Sequence, residues 1–326
     1  MTKDPTWNHH PDLPIQVSPV FQWPPRPAAI ARWFWDGWFL ISEKLLIVGL
    51  AFLSWFYLQP ALEVSAQFSL AWIIPMWLRN MVLMTAVAGG LHLWFYTFTG
   101  QGDVLKFDPR EQAGGRLFTF KSQVHDNMFW TLASGVTVWT AYEVMMIWAF
   151  STGVLTPLAF ADALVWFIAL FFLIPIWESF YFYWIHRWLH WKPLYDLAHH
   201  VHHRNTNVGP WSGMSMHPVE HVIYLGSVLI HWAISSHPVH VLYHLQYYCL
   251  TAATTHAGYE GIVLKDKNRL AMGTFHHQMH HRYFECNYGS LEIPWDKWFG
   301  SWHDGTPKGR MMMKERRKRL AGKLGG

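Results

Sequence analysis

Charge is scarce in this chain. Asp, Glu, Lys and Arg make up 14% of its 326 residues, against about 25% in an average soluble domain. With 52% hydrophobic residues, disorder is excluded too, because a disordered chain is poor in apolar residues and rich in net charge. Cysteine is scarcer still. Cys249 and Cys286 are the only two, too few for a disulfide-stapled scaffold, or for a zinc ribbon or iron–sulfur cluster, which take about four thiolates. A GxGxxG dinucleotide fingerprint and an HPGG-type haem module are also missing. The net charge of +4 is modest and its basic residues lie mostly at one end, so nucleic acid is not an expected partner.

Aromatics and histidines fill the space that charge leaves. The 22 Trp, 22 Phe and 13 Tyr are of the kind that collects at bilayer interfaces. Mean hydropathy is only +0.07, which fits a bundle of apolar helices carrying a polar part of similar size. Residues 1–28 are polar and rich in proline, without the basic start and apolar core of a signal peptide. They read as a tail lying on the surface. A single membrane domain is expected to cover 29–305, and a basic tail 306–326.

Four stretches, at about 45–62, 71–99, 128–150 and 163–185, are long enough to cross a hydrocarbon core of about 30 Å. The loops at 63–70 and 151–162 hold no Lys or Arg, whereas 103–127 holds Lys106, Arg110, Arg116 and Lys121. By the positive-inside rule this expects a multi-pass integral membrane protein with both termini in the cytoplasm. Residues 222–259 contain no Asp, Glu, Lys or Arg but five histidines. The break Ser235-Ser236-His237-Pro238 suggests a helical hairpin, either spanning or lying in the interface and partly buried by protein. The expected fold is all-α: a four-span transmembrane bundle with a cytosolic, histidine-rich helical cap at 186–303 holding a di-metal site. The tail at 308–326, with eight basic residues and one acid, is a solvated positive-inside flank or an adhesive for anionic headgroups.

Seventeen of the 22 histidines fall between 186 and 281. His186 and His190 close the fourth apolar stretch. AHHVHH holds His199, His200, His202 and His203; FHHQMHH holds His276, His277, His280 and His281. Spacings of three and four put imidazoles on one helix face, so His199/His202/His203 and His277/His280/His281 are each expected to point one way. Neutral imidazole is a ligand for iron, copper and zinc. A single zinc uses three or four ligands, fewer than three boxes supply.

HRWLH, HHVHH and HHQMHH, in this order, resemble the integral-membrane fatty acid hydroxylase/sterol desaturase superfamily. YWIHRWLHWKPLYDLAHHVHH, the HPVE at 217–220 and HHRYFECNYGSLEIPWDKWFGSW are similar to its sterol C5-desaturase branch. The resemblance covers roughly 165–303. It implies a non-haem di-iron centre on the cytosolic face, O₂ as co-substrate, and a sterol or other lipid that is desaturated or hydroxylated. It carries the metal ligands onto His186, His190, His199, His202, His203, His277, His280 and His281, with His256 as an additional ligand. Where members often have Asp seven residues before the first box, Ser179 stands beside Glu178. Glu178 shares a stripe with His186 and His190 and is either a partner for a ligand imidazole or a protonated or paired acid near the membrane surface. His200 and His276 duplicate the boxes and leave the register open by one residue. His217 is expected in a supporting or channel role, positioned by Glu220.

His221, His231, His237, His240 and His244 read as hydrogen-bonding or interfacial residues, and His9, His10, His92, His125 and His303 as structural or exposed. Met311–Met313 belong to the tail, and Cys286 reads as a reduced thiol. No acid or base beyond the metal centre is expected. Two external electrons are required, so a separate donor, ferredoxin- or cytochrome-like with its reductase, is implied. Zinc or another metal can occupy such sites in purified samples. The alternatives are a lipid or fatty acyl hydroxylase of the same superfamily and, from another class, a histidine-rich membrane metal transporter.

Overall fold

A computed structural model describes residues 7–39 and 42–324; the ends of both expected tails lie outside the described residues. Ser42 opens helix α1 (Glu43–Leu53), its hydroxyl accepting from the Lys44 N–H at 3.2 Å, and a π-helical turn extends it to Leu58. Ser69 caps α2 (Leu70–Met84) in the same way. Further turns carry α2 on, so that Leu70–Thr97 is one helical run. α3 (Val136–Ser151) continues a run that starts at Gln123. α4 (Leu164–Leu189) is followed by α5 (Pro218–Leu225), α6 (Pro238–Thr255), α7 (Phe275–Tyr283) and α8 (Pro307–Leu324).

Among the described residues, Leu70–Thr97 and α4 are long and apolar enough to cross a membrane, with mean hydropathies of 1.4 and 1.8. The runs Glu43–Leu58 and Gln123–Ser151 are helical but do not combine length and hydropathy to the same degree. Along Leu70–Thr97, Leu70, Ile74, Leu78 and Val82 form an exposed stripe at four-residue spacing. α4 exposes Val165, Ile168, Leu173, Ile176 and Phe180. Apolar surface this continuous needs a non-aqueous neighbour.

The uncharged stretch becomes the core. Every residue of α6 except Thr251 and Thr255 is buried, the pattern of a helix surrounded on all sides, and it packs against α1, α3 and α4. The chain does break at Ser235–His237 as expected. The arm before the break is α5 followed by a 3-10 turn, Gly226–Trp232, rather than one long helix. The buried imidazoles here are partnered: His240 Nε2 meets the Phe167 carbonyl at 2.9 Å, and His231 Nε2 meets His244 Nδ1 at 3.0 Å.

Two features depart from expectation. The fold is mostly helical but not all-α, because Gly261–Leu264 and Lys267–Ala271 pair as an antiparallel hairpin, β1 and β2. Its two-residue turn puts Lys265 at φ 52° and Asp266 at φ 58°, the twist that matches flanking strands. The proline-rich N-terminal segment is a strap rather than a surface tail. Trp7, Ile15 and Val17 are buried. Asn8 N–H donates to the Phe107 carbonyl at 2.9 Å, Ile15 N–H to Asp304 at 2.9 Å, and Ser18 Oγ to the Glu292 carbonyl at 2.9 Å.

The charges that interrupt the second and third apolar stretches find each other. Arg79 of α2 is ion-paired with Glu143 of α3 and donates to Gln59 Oε1 at 2.8 Å. Asn80 Nδ2 donates to Glu143 Oε2 at 3.0 Å and to Thr140 Oγ1 at 3.1 Å. Breaking one partner leaves a buried charge alone, which costs about 3–5 kcal/mol. Glu143→Ala is therefore expected to lower stability by that order in a detergent unfolding titration. Replacing both partners with apolar residues of similar volume, Arg79→Met with Glu143→Leu, should restore most of it.

Candidate metal centre

Four segments deliver imidazoles to one place. α4 ends with His186 in its last turn and His190 as its C-cap. Tyr195–His199 and His200–His203 form a short helical stretch behind it. His256 is the C-cap of α6, and α7, capped by Thr274, brings in His277, His280 and His281.

These nine residues sort into two groups. His186, His190, His199, His203 and His280 form one, and His202, His256, His277 and His281 the other, with candidate ligand nitrogens in each group within 4.8 Å of one another. The expectation that each HxxHH box points one way is corrected: the boxes are shared out. His199 and His203, one helical turn apart, join the first group while His202 joins the second. In α7 the assignment inverts, with His277 and His281 in the second group and His280 in the first. Adjacent helix residues are about 100° apart around the axis, so a doubled His-His reaches two neighbouring centres from one backbone. The rings of His203 and His281, from different groups, lie 4.9 Å apart and nearly parallel.

The nitrogens converge at ligand spacing. His203 Nε2 lies 3.0 Å from His190 Nε2 and 3.0 Å from His280 Nε2. His256 Nε2 lies 2.9 Å from His277 Nε2 and 3.1 Å from His281 Nε2. Two nitrogens at right angles on one ion, each bonded at about 2.1 Å, are about 3.0 Å apart.

Their other ring nitrogens explain the convergence. His186 Nδ1 faces the Tyr288 carbonyl at 2.7 Å, His280 Nδ1 the Cys286 carbonyl at 2.6 Å, and His256 Nδ1 the Ala252 carbonyl at 2.8 Å. His199 Nδ1 faces Glu220 Oε1 at 2.7 Å. A carbonyl only accepts, so Nδ1 carries the proton and Nε2 presents its lone pair. Nε2 of His186 and of His199 are buried without a hydrogen-bond partner. Inward lone pairs without donors are a donor set for a cation. Burial pushes the His199 pKa down to about 3 and that of His202 to about 4, so both are neutral near pH 7.

The remaining sequence candidates fall elsewhere. Glu178 pairs with His244 and accepts from Ser227 Oγ at 2.9 Å, so it does not hold a box imidazole. That place belongs to Glu220, whose own pKa burial raises to about 7. Glu220 therefore bonds His199 rather than His217, which caps α5 by accepting from the Val219 N–H at 3.3 Å. His200 is exposed. His276 is buried beside Trp302, 3.7 Å from Asp296, outside both groups. The converging groups therefore contain His199 and His277 rather than His200 and His276.

Sequence reasoning missed Asp296. Its two carboxylate oxygens accept from the Tyr288 and Gly289 N–H groups, each at 2.8 Å, and so aim the Tyr288 carbonyl at His186. Its only signal was its place in PWDKWFGSW, part of the piece that resembles the sterol C5-desaturase branch. A cavity of about 550 Å³ opens beside the second group, lined by His202, His256, His277, Phe182, Met216 and Tyr224 among others.

Because neighbours in sequence serve different groups, His280→Ala and His281→Ala should each lower bound metal from about two ions per chain to about one. The double variant should retain none. Elemental analysis of iron-loaded protein checks this, and a double variant that keeps one ion contradicts the division. Glu220→Ala should weaken metal binding about 10–100-fold by freeing the His199 tautomer.

Residues 171–301 match the family model described as fatty acid hydroxylase. The Delta(7)-sterol 5(6)-desaturase of Eremothecium gossypii is 31% identical over 135 residues, covering 41% of this chain and 37% of that protein. The Delta(7)-sterol 5(6)-desaturase of Saccharomyces cerevisiae is 33% identical over 120 residues, 37% of this chain and 32% of that protein. Human lathosterol oxidase is 31% identical over 123 residues, 37% and 40% respectively. The chain thus spans less than half the length of these relatives. No solved structure matches. The matched segment contains all nine converging histidines, and over it this chain is similar to the fatty acid hydroxylase family and to the sterol desaturases.

Proposed function

We propose that this chain is a membrane-bound, O₂-dependent oxidoreductase that desaturates or hydroxylates a C–H position of a sterol or other lipid. The observation that carries the reading is the pair of adjoining histidine groups beside a largely apolar cavity. The names of the relatives, sterol desaturases and lathosterol oxidase, support the lipid substrate. The nine histidines would hold two irons, which supply the multi-electron reduction of O₂ that breaking an unactivated C–H bond requires.

The chain's own groups provide the rest. Carbonyls of Ala252, Cys286 and Tyr288 and the carboxylate of Glu220 hold ring protons on Nδ1. Burial of the histidines excludes water, and Phe182, Met216 and Tyr224 shape an apolar wall against which an alkyl or ring carbon is placed. Hydroxylation consumes a C–H, O₂, two electrons and two protons and gives an alcohol and one water. Desaturation removes two hydrogens with the same inputs and gives an alkene and two waters. The electrons come from a separate ferredoxin- or cytochrome-like donor with its reductase.

The exposed stripes of the two apolar helices support residence in a bilayer. The basic loop at 103–127 supports a four-span topology with both termini and the histidine cap on the cytoplasmic side. A histidine-rich transporter remains the reading from another class.

Lipid mass spectrometry of cells expressing the chain, with sterols and a competent donor supplied and His280→Ala beside it, tests the proposal. A lipid lighter by two hydrogens only with the unaltered chain identifies a desaturase, and one heavier by an oxygen a hydroxylase. Identical profiles from folded, iron-loaded protein would contradict the oxygenase reading.

A further inference from the structure

The C-terminal end of α4 meets a surface for which the oxidation of a lipid has no use. The stretch from Leu164 to Trp184 is about 30 Å long at 1.5 Å per residue, the thickness of a hydrocarbon core. A helix entering the core at Leu164 therefore brings Trp184 to the headgroup boundary. From there, ring contacts lead onto other elements. Phe180, one turn earlier, meets Trp295 at 5.5 Å between ring centroids, and Trp184 meets Phe299 at 4.9 Å. Trp295 meets Trp298 at 5.2 Å, and Trp298 meets Phe21 of the N-terminal strap at 5.4 Å. Phe21, Phe180, Trp184, Trp298 and Phe299 are each at least 40% exposed. This ridge prolongs the apolar stripe of α4 sideways, at the depth where Trp and Tyr collect in membrane proteins.

Cations border the ridge. Lys297 is exposed between Trp295 and Trp298. Arg316 ties α8 beside Phe299, its guanidinium donating to the Gly300 carbonyl at 2.7 Å. α8 turns Gly309 and Met313 inward and leaves Lys308, Lys314 and Lys318 open, together with Met311 and Met312. Among the described residues, Glu315 is the one exposed acid on α8, and no ion pair engages Lys297, Lys314 or Lys318. An acidic protein also complements a cationic face, but here it would have to cover rings that already lie in the plane of the headgroups. Methionine and lysine stems with charged tips suit that boundary, because the stem lies along apolar material while the tip stays in the polar layer.

Resting on the bilayer residence proposed above, we infer that the ridge Phe21–Trp298–Phe299, with Lys297, Lys314 and Lys318, is a docking surface for anionic phospholipid headgroups. The leaflet concerned is the one at the C-terminal end of α4. The rings lie at the level of the glycerol backbone, and the ammonium groups meet phosphate oxygens.

Fluorescence quenching on the full-length, iron-loaded protein in phosphatidylcholine nanodiscs tests this. Cys249 and Cys286 are buried, so bimane is placed on an introduced cysteine, Met311→Cys on the open side of α8. The quenchers are trace phosphatidylglycerol and phosphatidylcholine, each carrying the same nitroxide near the glycerol. Phosphatidylglycerol should quench at least about five-fold more effectively, the preference that one engaged cation supplies. Adding Lys297→Gln, Lys314→Gln and Lys318→Gln together should bring the ratio below about two-fold, as should 1 M salt, where the Debye length is about 3 Å. Trp298→Ser with Phe299→Ser should lower quenching by both lipids. Thermal unfolding and metal content confirm that each variant is folded, and the ratio in the Met311→Cys protein alone needs no further variant. Equal quenching by the two lipids, a preference that survives the three lysine changes, or unchanged quenching after loss of the two rings would each overturn the inference. A second bimane, at Ile176→Cys on the exposed stripe of α4, separates it from the reading on which it rests. Quenching at Ile176→Cys by a chain-labelled lipid, with none at Met311→Cys by either headgroup, would overturn the docking surface, leave α4 in the bilayer and turn α8 towards a water-borne partner. An anionic preference at Met311→Cys without quenching at Ile176→Cys would sustain the docking surface and remove the spanning reading of α4.

Discussion

A buried imidazole can donate with one nitrogen and accept with the other, and the hydrogen bond on one side decides what the other side offers. Here that choice is made by main-chain carbonyls. Tyr288, Cys286 and Ala252 each present an oxygen to an Nδ1, and Glu220 does so from a side chain. The lone pairs of His186, His280, His256 and His199 are thereby turned inward. Much of the surrounding architecture serves to place those four acceptors. Asp296 gathers two N–H groups and the Ser301 hydroxyl to fix the loop that carries Tyr288. Phe284 ends α7 in the left-handed region at φ 68° and sends the chain back past Cys286. The last turn of α6 supplies the Ala252 carbonyl to the residue that caps that helix.

The rest of the fold keeps this assembly dry and in register. α6 runs through the middle of the protein and ends at the histidine groups, so its burial on all sides fixes the position of His256. The polar residues within the apolar half are used in pairs: Arg79 with Glu143 ties α2 to α3, and Glu178 with His244 ties α4 to α6. The N-terminal strap and the hairpin close the cavity from the other side, through Val17, Leu270 and Met272.

Eight of the nine histidines were legible in the sequence because a spacing of three or four residues is a geometric statement about a helix. Their division into two groups was less so. The two boxes differ in which residue of each doubled His-His joins which group, and that depends on how α7 is rotated against the segment before it. His256 came from family resemblance alone, since a lone histidine at a helix end has no periodicity. Of the two readings open for Glu178, the packing selects the paired acid, for a physical reason. Glu178 shares a helical stripe with the first box, but eight residues of helix put it about 12 Å away, within reach of α6 instead. Glu220, remote in sequence, arrives through the packing of α5. The hairpin Gly261–Ala271 was overlooked because its first strand is the four residues Gly261–Leu264, too short and without polar alternation to show a strand period. The strap was misread because prolines in a polar setting suggest a free tail, whereas Trp7, Ile15 and Val17 are anchors spaced too widely to show a period.

Iron K-edge X-ray absorption on the iron-loaded protein probes the convergence of ring nitrogens most directly. Two all-imidazole sets predict a first shell of about four to five nitrogens per iron at about 2.1 Å, with the outer-shell pattern of imidazole rings and no sulfur neighbour. A first shell dominated by oxygen, with the outer-shell imidazole signal absent, would mean that the histidines turn their lone pairs elsewhere and would contradict the account.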